Sequence, residues 1–228
     1  GVPVYCLAGN HDFVDTLHSF LPRPGVFVQR TLRVGGWLFL FGDSNEGGAD
    51  LDPDQGWIDR PDRLHEAKGG LTGHEVSWLD RQLGMGGAEH VMLWLHHPPG
   101  SVRFFEQPDY DHQVAGLVSG APTLRAMSAG HAHTACTREV GGIPSHVCPS
   151  TGLSVDLEEM VLMPPGYRRF QFWPDGSINT EVVWVDDERW NERHSLPQIA
   201  AEYLAGLVTA EDLRSELGLA PDEGWRGV

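Results

Sequence analysis

Several things are scarce in this sequence, and each scarcity removes a class of answer. Cysteine is rare: 228 residues carry only Cys6, Cys136 and Cys148. That is an odd set with no Cys-x-x-Cys pair, so it encodes neither a disulfide framework nor a structural zinc knot nor a dithiol redox pair. A reduced, cytoplasmic setting is expected. Basic residues are outnumbered, 16 Lys and Arg against 32 Asp and Glu, for a formal charge of −16. Such a balance repels a nucleic-acid backbone, so no nucleic-acid partner is expected. Long apolar runs are missing as well. None approaches the roughly 18 residues that a membrane-spanning helix needs, so no membrane partner is expected either. Gly1 to Ala8 shows no basic stretch followed by an apolar core and a cleavage site, so no signal peptide is visible.

What is present is enough for a domain. A chain of this length, 40% hydrophobic, can bury a proper core. Residues 2–8 form a short apolar run of buried-strand character. Residues 26–34 and 37–41 flank Gly35-Gly36 and read as a hairpin. From Asp43 to Gly70 the chain turns polar and rich in Gly, Asp and Pro, which reads as a long loop. Thr72 then opens a helix, with Glu75 at the spacing at which the two side chains can satisfy each other's free backbone donors. Val76, Leu79 and Leu83 follow on one face. His90–Leu95 and Leu124–Ala129 are compact apolar strands, with a helix around 112–118 between them. Two further hairpins turn at Gly141-Gly142 and at Pro174-Asp175-Gly176, which predicts a second, antiparallel layer. Beyond Asp186 the pattern is helical, with Leu196, Ile199, Ala200, Tyr203 and Leu207 on one face. That face packs on the parent domain or, as the alternative, in a homodimer.

Three polar strings each close an apolar run: Gly9-Asn10-His11-Asp12, His96-His97-Pro98-Pro99 and Gly130-His131-Ala132-His133. Imidazole suits transition ions, and Asn adds a neutral carbonyl oxygen. Residues far apart in sequence that each follow a strand converge if the strands are neighbours in one sheet. His131 and His133, one residue apart, share a face if the segment is extended, so they can chelate one ion or reach two. His97 reads as a neighbour of the site rather than a ligand. His18, His65, His74, His90, His112, His146 and His194 read as structural. Trp57 and Phe104-Phe105 lie in loops, where packing is the favoured reading over stacking on a base.

In this order the three strings resemble the third, fourth and fifth blocks of the calcineurin-like metallophosphoesterases. A narrower resemblance is to bacterial class III cyclic-nucleotide phosphodiesterases. It rests on Leu71 to Leu83, Cys148-Pro149-Ser150-Thr151, and Pro165-Gly166-Tyr167-Arg168 with Pro174-Asp175-Gly176. Together the likeness covers about residues 3 to 185. It implies an α/β fold, a four-layer α-β-β-α sandwich with mixed sheets, here lacking its N-terminal strands. The domain would be 1–186, followed by a C-terminal helical extension, 187–228. By this resemblance Asn10, His96 and His131 bind one metal ion and His133 binds the other. His11 touches the scissile phosphate and Asp12 orients it. Two ions, Mn, Fe or Zn, about 3.5–4 Å apart would activate a bridging water. A 3′,5′-cyclic nucleotide would then open to the 5′-monophosphate.

Members of that family begin with an Asp-x-His pair and a Gly-Asp block, and neither precedes Gly9 here. Gly42-Asp43 comes after the Asn-His block and reads as a loop acid. The expectation is an N-terminally incomplete domain that alone holds at most one ion tightly and turns over poorly. Two other readings stay open. One is hydrolysis of another phosphodiester or monoester; the other is a non-catalytic binding protein that keeps the fold and half the metal site.

Overall fold

The computed structural model describes residues 1–10, 12, 17, 19, 21, 23–45, 69–84, 87–186, 195 and 197–199. Strand β1 (Val4–Tyr5) pairs in parallel with β2 (Val26–Phe27). β3 (Thr31–Val34) and β4 (Trp37–Phe41) form the hairpin at Gly35-Gly36, where Gly35 supplies the positive φ of 57° that the tight turn requires. Then follow α1 (Gly73–Gly84), β5 (His90–Trp94), α2 (Pro108–Val118) and β6 (Leu124–Ala129). β7 (Cys136–Val140) and β8 (Ile143–Val147) form a second hairpin. β9 (Ser154–Asp156) pairs with β10 (Val161–Met163), and β11 (Gly166–Phe172) with β12 (Ile178–Trp184).

Six strands make the central sheet, in the order β3-β4-β5-β6-β8-β7. β4, β5, β6 and β8 run parallel, with antiparallel strands at both edges. The alternation along β4 explains why the sheet is covered twice. Leu38 and Leu40 face a cluster with Leu79 and Leu83 of α1 and Val114 and Val118 of α2. Trp37 and Phe39 face the opposite way, with Met92 and Ala126, toward Phe170, Phe172 and Ile178 of the β11–β12 hairpin. β5 is buried on both faces, and its unbroken apolar sequence follows from that. The described residues thus form helices, sheet and a second β layer, an α/β architecture with mixed sheets, as the sequence predicts, but the β7–β8 hairpin extends the central sheet instead of joining the second layer, because β8 pairs with β6. A further helical layer is not among the described residues.

The differences from the sequence reading are local. Residues 26–34 are not one strand: Val26–Phe27 joins β1, and the chain reaches β3 only after Val28–Arg30. α2 starts at Pro108 rather than near His112, because proline is pre-set for the first helical turn and Asp109 and Asp111 favour the helix N-terminus. Of the 187–228 extension only Ser195 and residues 197–199 are described, and Ser195 bridges to Val161. The expected helical face beyond them, and the homodimer it could serve, lie outside the described residues. So do residues 46–68 of the long loop, whose base is closed by the Gly70 N–H donating to the Ser44 carbonyl at 3.0 Å.

Candidate metal centre

Parallel strands release their chains at one edge of the sheet, the edge where α/β proteins place ligands. β5 delivers His96 and His97 there, β6 delivers His131, and β4 delivers Asp43, Ser44 and Asn45. Ladder hydrogen bonds run past the strand ends: the Leu95 N–H donates to the Ser128 carbonyl and the Gly130 N–H to the His96 carbonyl, both at 3.0 Å. The backbone that carries His96 is therefore fixed.

Asn10 arrives differently. It follows β1, which belongs to another sheet, so it is not brought in by a neighbouring strand as the sequence pattern suggested. Two contacts dock it instead. The Asn45 side-chain amide donates to the Ala8 carbonyl at 3.1 Å, and Gly9 lies flat on His96. A Cβ on Gly9 would meet the His96 ring at 2.8 Å, so only glycine lets the two chains approach so closely.

The outcome is a tight group of three donor atoms. His96 Nε2 is 2.8 Å from Asn10 Oδ1 and 3.2 Å from His131 Nδ1, and His131 Nδ1 is 3.3 Å from Asn10 Oδ1. Adjacent ligands of an ion bonded at about 2.0–2.1 Å sit about 3 Å apart. One imidazole proton cannot satisfy three converging lone-pair atoms, whereas a cation can, so this donor set fits a transition ion. Phe105 lies edge-on to His131, with ring centroids 5.3 Å apart, and closes one side. It packs with Val102, Ala132 and Val147, while Phe104 is exposed.

The Gly130–His133 string is not extended. His131 and His133 both adopt left-handed backbone, φ 63° and 50°, and the Ala132 N–H closes onto the Gly130 carbonyl at 2.7 Å. The alternation argument for a shared face therefore does not apply, because it holds only for a strand. His133 is exposed, and the close group of His, Cys, Asp and Glu among the described residues is His96, His97 and His131. Backbone strain of this kind gathers at functional sites.

The remaining expected residues are placed as follows. Asp12 accepts the Gly9 N–H at 2.8 Å and returns its own N–H to the Gly9 carbonyl at 3.0 Å, closing the turn that presents Asn10. His11 lies outside the described residues. Asp43 is a loop acid that accepts the Asn45 N–H at 2.9 Å and its side-chain amide at 3.1 Å. Glu75 departs from its expected capping role. Thr72 Oγ1 accepts the Glu75 N–H at 3.1 Å, but the Glu75 carboxylate goes to the Asp43 N–H at 3.0 Å and to Arg30. Burial pushes that carboxyl up, against the lowering pull of Asp43 and Arg30. Glu75 thereby holds the post-β4 loop in place.

The sequence reading assigns no role to Ser44 and Asn45, although Gly42-Asp43-Ser44-Asn45 is, like the other three strings, a polar run closing an apolar strand. His97, expected as a neighbour of the site rather than a ligand, is buried at 1% exposure with Nδ1 3.1 Å from Ser44 Oγ. Loss of solvent, with the charges of His131 and His96 added, pushes its imidazole down to about 2. It stays neutral.

The chain has relatives among curated proteins. A protein of Synechococcus named "Probable cyclic nucleotide phosphodiesterase" is 26% identical over 196 residues, 82% of this chain and 67% of its own. The 3′,5′-cyclic adenosine monophosphate phosphodiesterases CpdA of Haemophilus influenzae and Escherichia coli K12 are 26% and 24% identical, over 79% and 82% of the chain. The chain is similar to proteins named as cyclic nucleotide phosphodiesterases. It spans about two thirds of the length of these relatives, 63% and 66% for the two CpdA proteins. No protein-family model matches the chain. Among solved structures, a dimetal phosphatase of Danio rerio covers 52% of this chain and 40% of its own, at 13% identity and a TM-score of 0.35, too loose a superposition to carry an argument. No helix among the described residues is long and apolar enough to cross a membrane.

Proposed function

We propose that this protein is a metal-dependent phosphoesterase that opens 3′,5′-cyclic nucleotides to 5′-monophosphates. The observation that carries the reading is the Asn10, His96 and His131 group, three ligand-type atoms within 2.8–3.3 Å of one another at the carboxyl edge of the sheet. The names of the homologous phosphodiesterases supply the substrate class.

In this reading Asn10, His96 and His131 hold one Mn, Fe or Zn ion and His133 contributes to a second. Bound ions of this kind polarise phosphoryl oxygens and lower the pKa of water. The chain's own residues do the rest. Neutral imidazoles and a neutral amide hold the cation without adding negative charge, which leaves it attractive to an anionic ester. His11, next to Asn10 in sequence, donates a proton to the departing 3′ oxygen, with Asp12 as the residue that orients it. Phe105 keeps one flank of His131 dry.

The test is incubation of the Mn²⁺-loaded protein with cyclic AMP and chromatography of the products. The expected result is Mn²⁺-dependent formation of 5′-AMP, lost together with metal uptake in His96→Ala. Release of 3′-AMP, or metal uptake unchanged in His96→Ala, counts against the proposal. Turnover of glycerophosphodiesters in preference to cyclic AMP would keep the metal site and change the substrate.

A further inference from the structure

Behind the triad lies a side chain that the proposed function leaves idle. His97 Nε2 is buried without a hydrogen-bond partner. Its ring centroid is 4.9 Å from that of His96 and 4.4 Å from that of His131. The surroundings of its other nitrogen decide where the proton sits. Ser44 Oγ accepts the His97 backbone N–H at 3.0 Å, and the Tyr110 O–H donates to the His97 carbonyl at 3.1 Å. With Nδ1–H donating to Ser44 Oγ across 3.1 Å, the imidazole proton has an acceptor. The opposite tautomer would bury an N–H with no acceptor, a cost that the first arrangement avoids. Nε2 therefore presents a bare lone pair.

The ring is also held rigidly. Gly69, whose N–H donates to the Gln107 side chain, presses on it so closely that a Cβ there would meet His97 Cβ at 2.6 Å. A neutral imidazole, locked in place and donating its far N–H to a fixed oxygen, is how proteins prepare a histidine to ligate a metal.

We propose that His97 is a third imidazole ligand of the ion held by Asn10, His96 and His131, which makes a four-donor site from this chain's own residues without His133. The inference rests on the metal site proposed above. One ligand nitrogen from each of the three histidines lies within 4.8 Å of the other two. Donors on opposite sides of one ion are about 4.2 Å apart and adjacent ones about 3 Å, so completing the shell requires the His97 nitrogen to move toward the other two. His133 belongs, by the resemblance, to the other ion, so His97 adds a donor here rather than replacing one.

Co²⁺ titration followed by proton NMR tests this, because each coordinated imidazole keeps one exchangeable N–H that the paramagnetic ion shifts far downfield. With the first equivalent of Co²⁺ we expect three such signals in the wild type and in His133→Ala, and two in His97→Ala, with Co²⁺ affinity at least about tenfold weaker. If near-UV circular dichroism shows that His97→Ala does not fold, Ser44→Ala takes its place. One of the three N–H signals should then exchange faster with solvent, having lost its acceptor. Two signals in the wild type, or no signal that responds to His97→Ala or Ser44→Ala, overturns the inference and leaves the metal site standing. No Co²⁺ uptake at all overturns both.

Discussion

At the scale of single residues, the account makes Gly9 as important as the ligands it neighbours. Its missing side chain is the space that the His96 ring occupies, with atoms 2.8–3.2 Å from where a Cβ would be. Gly9→Ala must displace either that ring or the Asn10 turn. The expected outcome is a folded protein whose Mn²⁺ affinity, measured calorimetrically, falls by about tenfold or more, the scale at which misplaced ligands weaken metal sites. A second residue reports on acid stability. His146, buried with Nδ1 3.0 Å from Thr137 Oγ1, has its imidazole pushed below the ordinary 6.5 by burial first and by Arg168 second. The unfolded chain therefore takes up this proton before the folded one does. The stability due to neutral His146 is complete above pH 6.5 and drains away as the pH falls below it, by at most about 1.4 kcal/mol per pH unit. Urea titrations at pH 7.5 and 5.5 should show the decline, and His146→Leu should make it shallower.

At the scale of elements, helix α1 serves the site from a distance. Its Thr72 cap frees the Glu75 side chain to hold Asp43, and the Asp43–Asn45 loop in turn holds Ala8 and Ser44. Thr72→Ala should cost about 1 kcal/mol of stability, while Glu75→Ala should also loosen metal binding. Measuring both properties on both variants separates the cap from the staple. The sequence made some of these elements plain and hid others, for physical reasons. Leu124–Ala129 was legible to the residue because a strand buried among parallel neighbours is a bounded apolar run. The Gly35-Gly36 and Gly141-Gly142 hairpins were legible because glycine marks the turn. Val26–Phe27 was not, since its separation from β3 depends on pairing with β1, a long-range event that leaves no periodic trace. The left-handed His131 and His133 were hidden too, because nothing local distinguishes that bend from a strand. Glu75 was misassigned for the opposite reason: a local rule predicted its partner, and a tertiary contact won.

At the scale of the whole molecule, one six-stranded sheet is clamped between helices and a β hairpin, and its carboxyl edge is left to gather the site. The clamp on the hairpin side is aromatic. Phe39 meets Phe172 at 5.0 Å and Trp94 at 5.5 Å between centroids, and Trp37 meets Phe172 at 4.9 Å while its Nε1–H donates to the Trp173 carbonyl at 2.8 Å. Phe39→Ala, at a position 8% exposed, should cost about 3–5 kcal/mol in denaturant unfolding. At low denaturant the variant should still take up Mn²⁺, because β5 and β6 reach the site by their own ladder. The formal charge of −16 fits a protein that meets a small anionic substrate only through a cation, since the bare surface would repel it. The central claim is that this edge of the sheet binds an ion through Asn10, His96 and His131. Anomalous diffraction from Mn²⁺-soaked crystals tests it most directly. The expected result is a peak within about 2.0–2.3 Å of Asn10 Oδ1, His96 Nε2 and His131 Nδ1. A Mn²⁺ peak elsewhere on the chain, or none there at saturating metal, would contradict it.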